Sequence, residues 1–192
     1  MSMKRLALST VLAATLAAPG YANEFEPAMR SFFEQEINQW ATASILVDAI
    51  NDQNVTTQAY DQARIDALDT AWRAEVGLSQ SPTITPVISN EAAEFLRSQI
   101  ASSGGRITEI FVMDNQGLNV AASATTSDYW QGDEAKFTET HGVGPGAVHF
   151  GDIEFDESSQ TYQGQISLTI TDPSTGEIIG AMTVGVDAES LL

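Results

Sequence analysis

IFVMDNQGLNVAAS, at residues 110–123, is the stretch that decides the fold of this chain. Its two ends are rich in the β-branched and other apolar residues that favour strands. The four residues between them, Asp-Asn-Gln-Gly at 114–117, favour a tight turn. The stretch therefore predicts a hairpin, with one strand over 107–113 and a returning strand over 118–123.

Three more strands are predicted after the hairpin, at 147–155, 161–171 and 177–186. Turns at 156–158 and 172–176 separate them and are rich in Asp, Ser, Pro and Gly. A long irregular segment, 124–146, lies between the second and third strands. Because the other connections are short, the segment 106–192 is expected to form a five-stranded antiparallel sheet.

The part of the chain before the hairpin, 23–105, is predicted to be helical. Apolar residues recur every three or four positions over 24–50, which predicts a single long helix. A polar break at 51–55 joins it to a second helix over 56–76, which Gly77 ends, so the two are expected to form a helical hairpin. A short third helix is predicted over 89–101, with Asn90 as its N-cap. The fold class is therefore α+β, with helices packed on an antiparallel sheet. The apolar helical stripes are interpreted as core, and the alternative is a dimer interface along the first helix.

The first 22 residues have the pattern of a secretory signal peptide. Lys4 and Arg5 precede an uncharged, largely apolar run over 6–18, and Gly20 and Ala22 place small residues at the usual cleavage positions. The run is shorter than the about 20 residues that a membrane-spanning helix needs, so cleavage is favoured over an uncleaved anchor. The sequence thus predicts a signal peptide at 1–22 and one periplasmic domain at 23–192.

The composition excludes several classes of partner and site. The chain has 26 acidic and eight basic residues, a net charge of −18, which disfavours nucleic acid and anionic membrane surfaces as partners. It contains no cysteine, so disulfides, thiolate nucleophiles and cysteine metal sites are excluded.

Three segments, taken in order, resemble the Cache (PDC-type, PAS-like) extracytoplasmic sensor domains of bacterial receptors. They are the hairpin at 110–123, the loop DYWQGDEAKF at 128–137 and the closing strand IIGAMTVGVDAESL at 178–191. The resemblance implies that the first and last strands are adjacent in the middle of the sheet, and that a ligand pocket lies under the loop. It also implies a free-standing sensor without its own output domain. Its implied partners are a membrane-bound receptor or kinase and a second copy bound through the 24–50 helix.

The loop 128–137 holds most of the candidate ligand-binding residues, because a pocket needs aromatic walls and a few placed polar groups. Lys136 is the single lysine after the predicted cleavage site and would anchor a ligand carboxylate. We expect Tyr129 and Trp130 to converge with Lys136 on one cavity over the sheet. The alternative pairs Lys136 with a loop carboxylate and places the aromatic residues in the core. The acidic candidates of this loop are Asp128 and Asp133.

Three candidates lie outside the loop. The resemblance supplies Asp187, because an Asp at the end of the last strand contacts ligand amines in some family members. Gln165 is a further polar candidate, and His149 on a strand would make binding sensitive to pH. Amino-acid-binding members carry an R-x-x-W-Y pattern in the loop. Since no Arg accompanies Trp130, an amino-acid ligand is not favoured.

No motif predicts catalysis, a metal or a cofactor. The chain has no G-x-S-x-G, G-x-G-x-x-G or P-loop motif. His141 and His149, its two histidines, do not make a zinc site by themselves, and the 114–117 turn lacks the further ligands of a calcium loop. We therefore predict a sensor module, not an enzyme, that binds a small carboxylate-bearing metabolite. Two alternatives stay open: an interaction protein with a collapsed pocket, and a hydrolase whose nucleophile is hydrogen-bonded to His141 or His149.

Overall fold

The computed structural model describes residues 23–156 and 160–192, so the predicted signal peptide at 1–22 lies outside the described residues. Five strands form one antiparallel sheet in the order β2-β1-β5-β4-β3. The strands are β1 Ile107–Asp114, β2 Asn119–Ala122, β3 Val148–Asp156, β4 Thr161–Thr171 and β5 Ile178–Asp187. The five predicted strands are confirmed, and the first and last are adjacent in the middle of the sheet, as the resemblance implied.

Helices cover both faces of the sheet. They are α1 Glu26–Gln35, α2 Ser44–Thr57, α3 Gln62–Glu75, α4 Thr85–Ile88, α5 Glu91–Ser102 and α6 Ala135–Thr138. One hydrophobic cluster joins α1, α2 and α5 to one face, and a second joins α3, α4 and α6 to the other. Within 23–156 and 160–192, no helix has the length and apolarity to span a membrane.

The predicted single helix over 24–50 is wrong, because the chain breaks between α1 and α2. A 3-10 turn, Ile37–Gln39, follows α1, and α2 then continues through the predicted break at 51–55. Ile37 and Ala41 are both buried in this region, and an ion pair of 3.0 Å joins Glu36 to Arg106 just before β1. Tertiary packing supplies most helix stability in proteins, so these long-range contacts override the local helical period.

The apolar stripe of this segment belongs to the core of the domain. Met29, Ile37 and Ile50 are each 0% exposed, and they pack on the same sheet face as Val184 of β5. The buried part of the stripe therefore packs within the domain, and the homodimer through the 24–50 helix that the resemblance implied stays a prediction. Burial of the stripe confirms its interpretation as core.

Local signals fix two helix ends as predicted. The Asn90 side chain accepts a hydrogen bond of 2.8 Å from the backbone N–H of Ala93 and caps α5. Gly77 follows α3 with φ of +78°, a conformation that glycine adopts without steric cost.

The hairpin turn is built around a buried carboxylate. Asp114 is 0% exposed, and its Oδ1 accepts backbone N–H bonds from Gln116 (2.8 Å) and Leu118 (3.0 Å). Its Oδ2 accepts bonds from the Gln53 amide (2.9 Å) and the Thr57 hydroxyl (2.8 Å) on α2. One side chain therefore closes the turn and ties it to the helix on the neighbouring face.

Candidate ligand-binding site

The loop after β2 docks on the hairpin turn. The backbone N–H of Gln131 donates to the Gly117 carbonyl (2.8 Å), and the Trp130 indole donates to the Gln116 carbonyl (2.8 Å). Gly117 lies so close to Gly132 that a Cβ on Gly117 would stand 2.6 Å from the Gly132 Cα. The Trp-Gln-Gly part of the loop therefore has a structural role, in which Trp130 seals the turn.

Helix α3 holds the same loop from the other side. Oδ1 of Asp69 accepts the backbone N–H bonds of Tyr129 (2.9 Å) and Trp130 (3.1 Å). Arg73 pairs with Asp69 at 2.8 Å and reaches Asp128 at 3.6 Å. The aspartate, which is 14% exposed, fixes the backbone path, and the more exposed arginine adds a weaker clamp.

We expect Asp69→Ala to lower the free energy of unfolding by about 1–3 kcal/mol, because two loop N–H groups lose their charged acceptor. Arg73→Ala serves as the matched control and should cost less than about 1 kcal/mol, since the arginine is 60% exposed and solvent screens its side of the ion pair. Urea denaturation followed by tryptophan fluorescence measures both. Equal losses in the two variants would show that the ion pair, and not the backbone capping, holds the loop.

Aromatic side chains fill the inner half of the sheet face under this loop, which is the half formed by β1, β2 and β5. The Tyr129 ring stacks on Trp72 of α3 with centroids 5.2 Å apart and planes 12° apart. Phe111 and Phe137 are buried in the same cluster. Burial raises the pKa of the Tyr129 phenol, and the negative charge of Asp114 adds to this shift, so the phenol stays protonated. Tyr129 is thus packed in the aromatic cluster, and its partly exposed side lines a separate groove beside α2.

A cavity of about 320 Å³ opens over the outer half of the same face, between α6 and strands β3 and β4. Most of its lining is polar: Glu134, Lys136, His149, Asp152, Glu154, Gln163 and Gln165. Three of the predicted site residues, Lys136, His149 and Gln165, therefore share one cavity. The predicted convergence of Tyr129 and Trp130 with them is wrong, because the aromatic pair packs elsewhere.

Lys136 is held at the inner wall of this cavity. Its Nζ lies 2.9 Å from Oε2 of Glu134 and 5.4 Å from the centroid of the Phe111 ring. The side chain is 17% exposed, against 39% for Glu134. The lysine thus combines two of the expected arrangements: it pairs with a loop carboxylate, and it also faces a cavity.

A hydrogen-bonded set of side chains forms the floor of the cavity. The Gln163 amide donates to Oε1 of Glu109 at 2.6 Å and accepts from the hydroxyl of Thr108. The Gln165 amide approaches the same Glu109 oxygen at 3.3 Å. Gln163 was not predicted from the sequence. The signal for it was its position two residues from Gln165 on one strand, which places both on one face.

The remaining predicted residues lie outside the lining of this cavity. Asp128 accepts a hydrogen bond from the Gln131 amide and belongs to the loop clamp. Asp133 is exposed. Asp187 caps the 3-10 turn at Ala188–Leu191, where it accepts the Glu189 N–H at 3.4 Å. Asp128 therefore stabilises the loop, and Asp187 stabilises the 3-10 turn that follows β5.

Comparison with solved structures returned sensory domains. The ligand-binding domain of the Campylobacter jejuni chemoreceptor Tlp3 in complex with L-norvaline is 16% identical over 90% of this chain and 65% of that chain, with a TM-score of 0.44. The sensor domain of the V. cholerae histidine kinase DctB is 14% identical over 84% of this chain and 58% of that chain, with a TM-score of 0.37. Both are sensory domains, one of a chemoreceptor and one of a histidine kinase.

The chain spans less than two thirds of the length of these domains. No family model and no curated protein sequence matches it.

His141 sits beside the aromatic cluster and not in the cavity. Its ring stacks on Phe137 with centroids 4.6 Å apart, and its Nε2 lies 3.0 Å from the side-chain oxygen of Asn115. Burial lowers the pKa of the imidazole, and the nearby Asp114 charge opposes that shift. An amide oxygen is not a nucleophile, so this contact does not supply the pair that the hydrolase hypothesis requires. In the part of the chain that the structure describes, no cluster of three or more His, Asp or Glu side chains is arranged to hold a metal.

Proposed function

We propose that this protein is a periplasmic small-molecule-binding sensor module whose ligand is a small metabolite with a carboxylate group. The observation that carries the proposal is the position of Lys136, largely buried over the Phe111 ring and facing a polar cavity. Lys136 already pairs with Glu134, but its ammonium group has three N–H donors, so a ligand carboxylate in this cavity would take a further charge-assisted hydrogen bond from it.

The walls of the cavity restrict the rest of the ligand. Glu134, Asp152 and Glu154 bring three carboxylates against a single lysine, and Gln165 adds an amide. A ligand with only negative charge would meet repulsion from these walls. The proposed ligand therefore carries hydrogen-bond donors as well as its carboxylate, and the acidic walls accept them. His149 lines the same cavity and offers a ring nitrogen to the proposed ligand.

The test starts with a thermal-shift screen of metabolites, because a ligand that binds only the folded protein raises its melting temperature. Titration calorimetry with a ligand from the screen then compares Lys136→Ala with wild type. We expect the variant to bind at least about tenfold more weakly, about 1.4 kcal/mol. Arg64→Ala is the matched control, since it removes the same charge from an exposed position on α3 and should leave affinity within about twofold. Equal affinities of wild type and Lys136→Ala would remove the lysine from the site.

The periplasmic part of the proposal rests on the signal-peptide pattern over 4–22. We expect cleavage after Ala22. Mass spectrometry of protein recovered from the periplasm should therefore find the N-terminus at Asn23 or within a few residues of it. Recovery of the chain with Met1 in a membrane fraction would contradict export by a cleaved signal.

A sensor module acts by passing ligand occupancy to another protein. The proposed recipient is a membrane-bound receptor or kinase, as the family resemblance implies. Thermodynamic linkage sets a condition for this step. If the ligand changes the affinity of the module for its recipient, the recipient must change the affinity of the module for the ligand by the same factor.

A second candidate is an interaction protein with no ligand. It is favoured by the packing of Tyr129, Phe111 and Phe137 in one aromatic cluster over the inner half of the sheet face, with Tyr129 stacked on Trp72. The screen separates the two candidates. A saturable ligand whose affinity depends on Lys136 favours the sensor, and a broad library without any stabilising compound favours the interaction protein.

A further inference from the structure

A second concave surface lies at the opposite edge of the sheet, beside β2. It is a groove of about 620 Å³ between α2 on one side and the α4 region with the start of α5 on the other. Its apolar surface comes from residues such as Ile45, Ala49, Leu68, Pro86 and Val120. The side chains in the proposed ligand cavity take no part in it.

The α2 wall has the form of a stripe. Ile45, Asp48, Ala49, Asp52 and Gln53 are spaced by three, one, three and one residues, so they share one helical face. The distance from the first to the last is about 12 Å, or two helical turns. The groove is thus a trough about two turns long, with exposed carboxylates at 48 and 52 above partly buried Ile45 and Ala49.

The groove is acidic and carries no cation of its own. Asp48 and Asp52 stand on the α2 rim, and Glu91 stands on the opposite rim. The described cations are engaged elsewhere: Arg30, Arg73, Arg97, Arg106 and Lys136 form ion pairs with other carboxylates, and Arg64 lies over the Tyr60 ring. An apolar floor between unneutralised carboxylates complements an occupant with apolar anchors and positive charges.

We propose that this groove docks a basic amphipathic segment of a partner protein, with apolar side chains on Ala49 and Val120 and Lys or Arg side chains on the two acidic rims. The exposed rims favour a segment of chain, because small-molecule sites enclose most of the ligand surface. The groove is a separate surface from the ligand cavity, so this proposal holds or fails independently of the sensor function.

The probe is a fluorescein-labelled model peptide of Leu and Lys, about four helical turns long, studied at physiological salt to screen diffuse attraction. Fluorescence anisotropy measures its affinity for wild type and for the triple variant Asp48→Asn, Asp52→Asn, Glu91→Gln. The matched control neutralises three exposed carboxylates away from the groove, Glu34→Gln, Glu139→Gln and Glu177→Gln. Both triple variants change the net charge equally, so only position distinguishes them.

A second pair of variants tests the apolar floor without changing charge. Ala49→Phe fills the trough, and Ala63→Phe adds the same ring to an exposed position on α3. Thermal unfolding confirms that each variant is folded before binding is measured.

We expect the groove triple variant and Ala49→Phe each to weaken peptide binding at least about tenfold, as loss of anchors at an interface does. The two controls should stay within about twofold of wild type. An equal loss in both triple variants would assign binding to diffuse surface charge and overturn the proposal. Absence of saturable binding to wild type would overturn it as well. If tetrabutylammonium saturates the groove and the peptide does not, the occupant is a small organic cation and the peptide proposal is wrong.

Discussion

Replacement of Asp114 by alanine is expected to lower the free energy of unfolding by about 3–5 kcal/mol. Four donors lose their acceptor together: the backbone N–H groups of Gln116 and Leu118 and the side chains of Gln53 and Thr57. These groups lie around a carboxylate that is 0% exposed, so water cannot replace it without entering the structure. The free energy of unfolding should therefore fall far more than it does when an exposed aspartate is replaced by alanine.

Chemical denaturation with urea, followed by circular dichroism, measures this loss. Asp66→Ala on the exposed side of α3 is the control and should change stability by less than about 0.5 kcal/mol. Asp114→Asn separates shape from charge, because the amide keeps the volume but turns one acceptor into a donor. It should lie between wild type and the alanine variant. If Asp114→Ala behaves like the surface control, the carboxylate does not hold the turn on α2.

The second large effect is expected at Gly117, where alanine should cost about 3 kcal/mol or more. Two penalties act together. The residue has φ of +78°, and a Cβ would stand 2.6 Å from the Gly132 Cα and 2.8 Å from the Gly132 nitrogen. Both of these atoms belong to the backbone, so relief requires the loop to move away from the hairpin. We therefore expect Trp130, whose indole bonds the neighbouring Gln116 carbonyl, to become more solvent-exposed.

Gly176→Ala provides a matched control for backbone conformation. Gly176 has φ of +77°, and no atom lies within 4 Å of the position its Cβ would take. The control should cost only the conformational penalty, about 1–2 kcal/mol. The difference between the two variants in denaturant unfolding measures the steric part, and acrylamide quenching of tryptophan fluorescence reports the loop. Equal costs would show that the close approach to Gly132 is relieved by small adjustments.

The sheet could be predicted because its signals are local. Alternating apolar residues and the turns at 114–117 and 172–176 specify strands and their reversals over a few neighbouring positions. The break between α1 and α2 could not be predicted in this way. It depends on Glu36 reaching Arg106, which lies 70 residues away along the chain, and on burial of Ile37 and Ala41.

The candidate site could be predicted only in part, because some of its residues are also positioned by contacts with distant parts of the chain. Lys136, His149 and Gln165 were selected by chemical type, and the fold brings them to one cavity. The aromatic residues were predicted as the walls of a pocket because they share one loop with Lys136, but Tyr129 packs on Trp72 and Trp130 packs on the hairpin turn. Their places depend on Asp69 of α3, which accepts both backbone N–H groups. Nothing in the loop sequence itself indicates that contact.

The central position of β5 has a consequence for how the chain is made. β5 follows the other four strands in sequence, yet it pairs with both β1 and β4. During synthesis, β1 and β4 therefore have no common partner until residues 178–187 have emerged. Pairings between distant segments form slowly, since loop-closure entropy must be overcome first. The export that we propose would suit this order, since the sheet cannot close until its last strand has been made, and a narrow export channel passes a chain that has not yet folded.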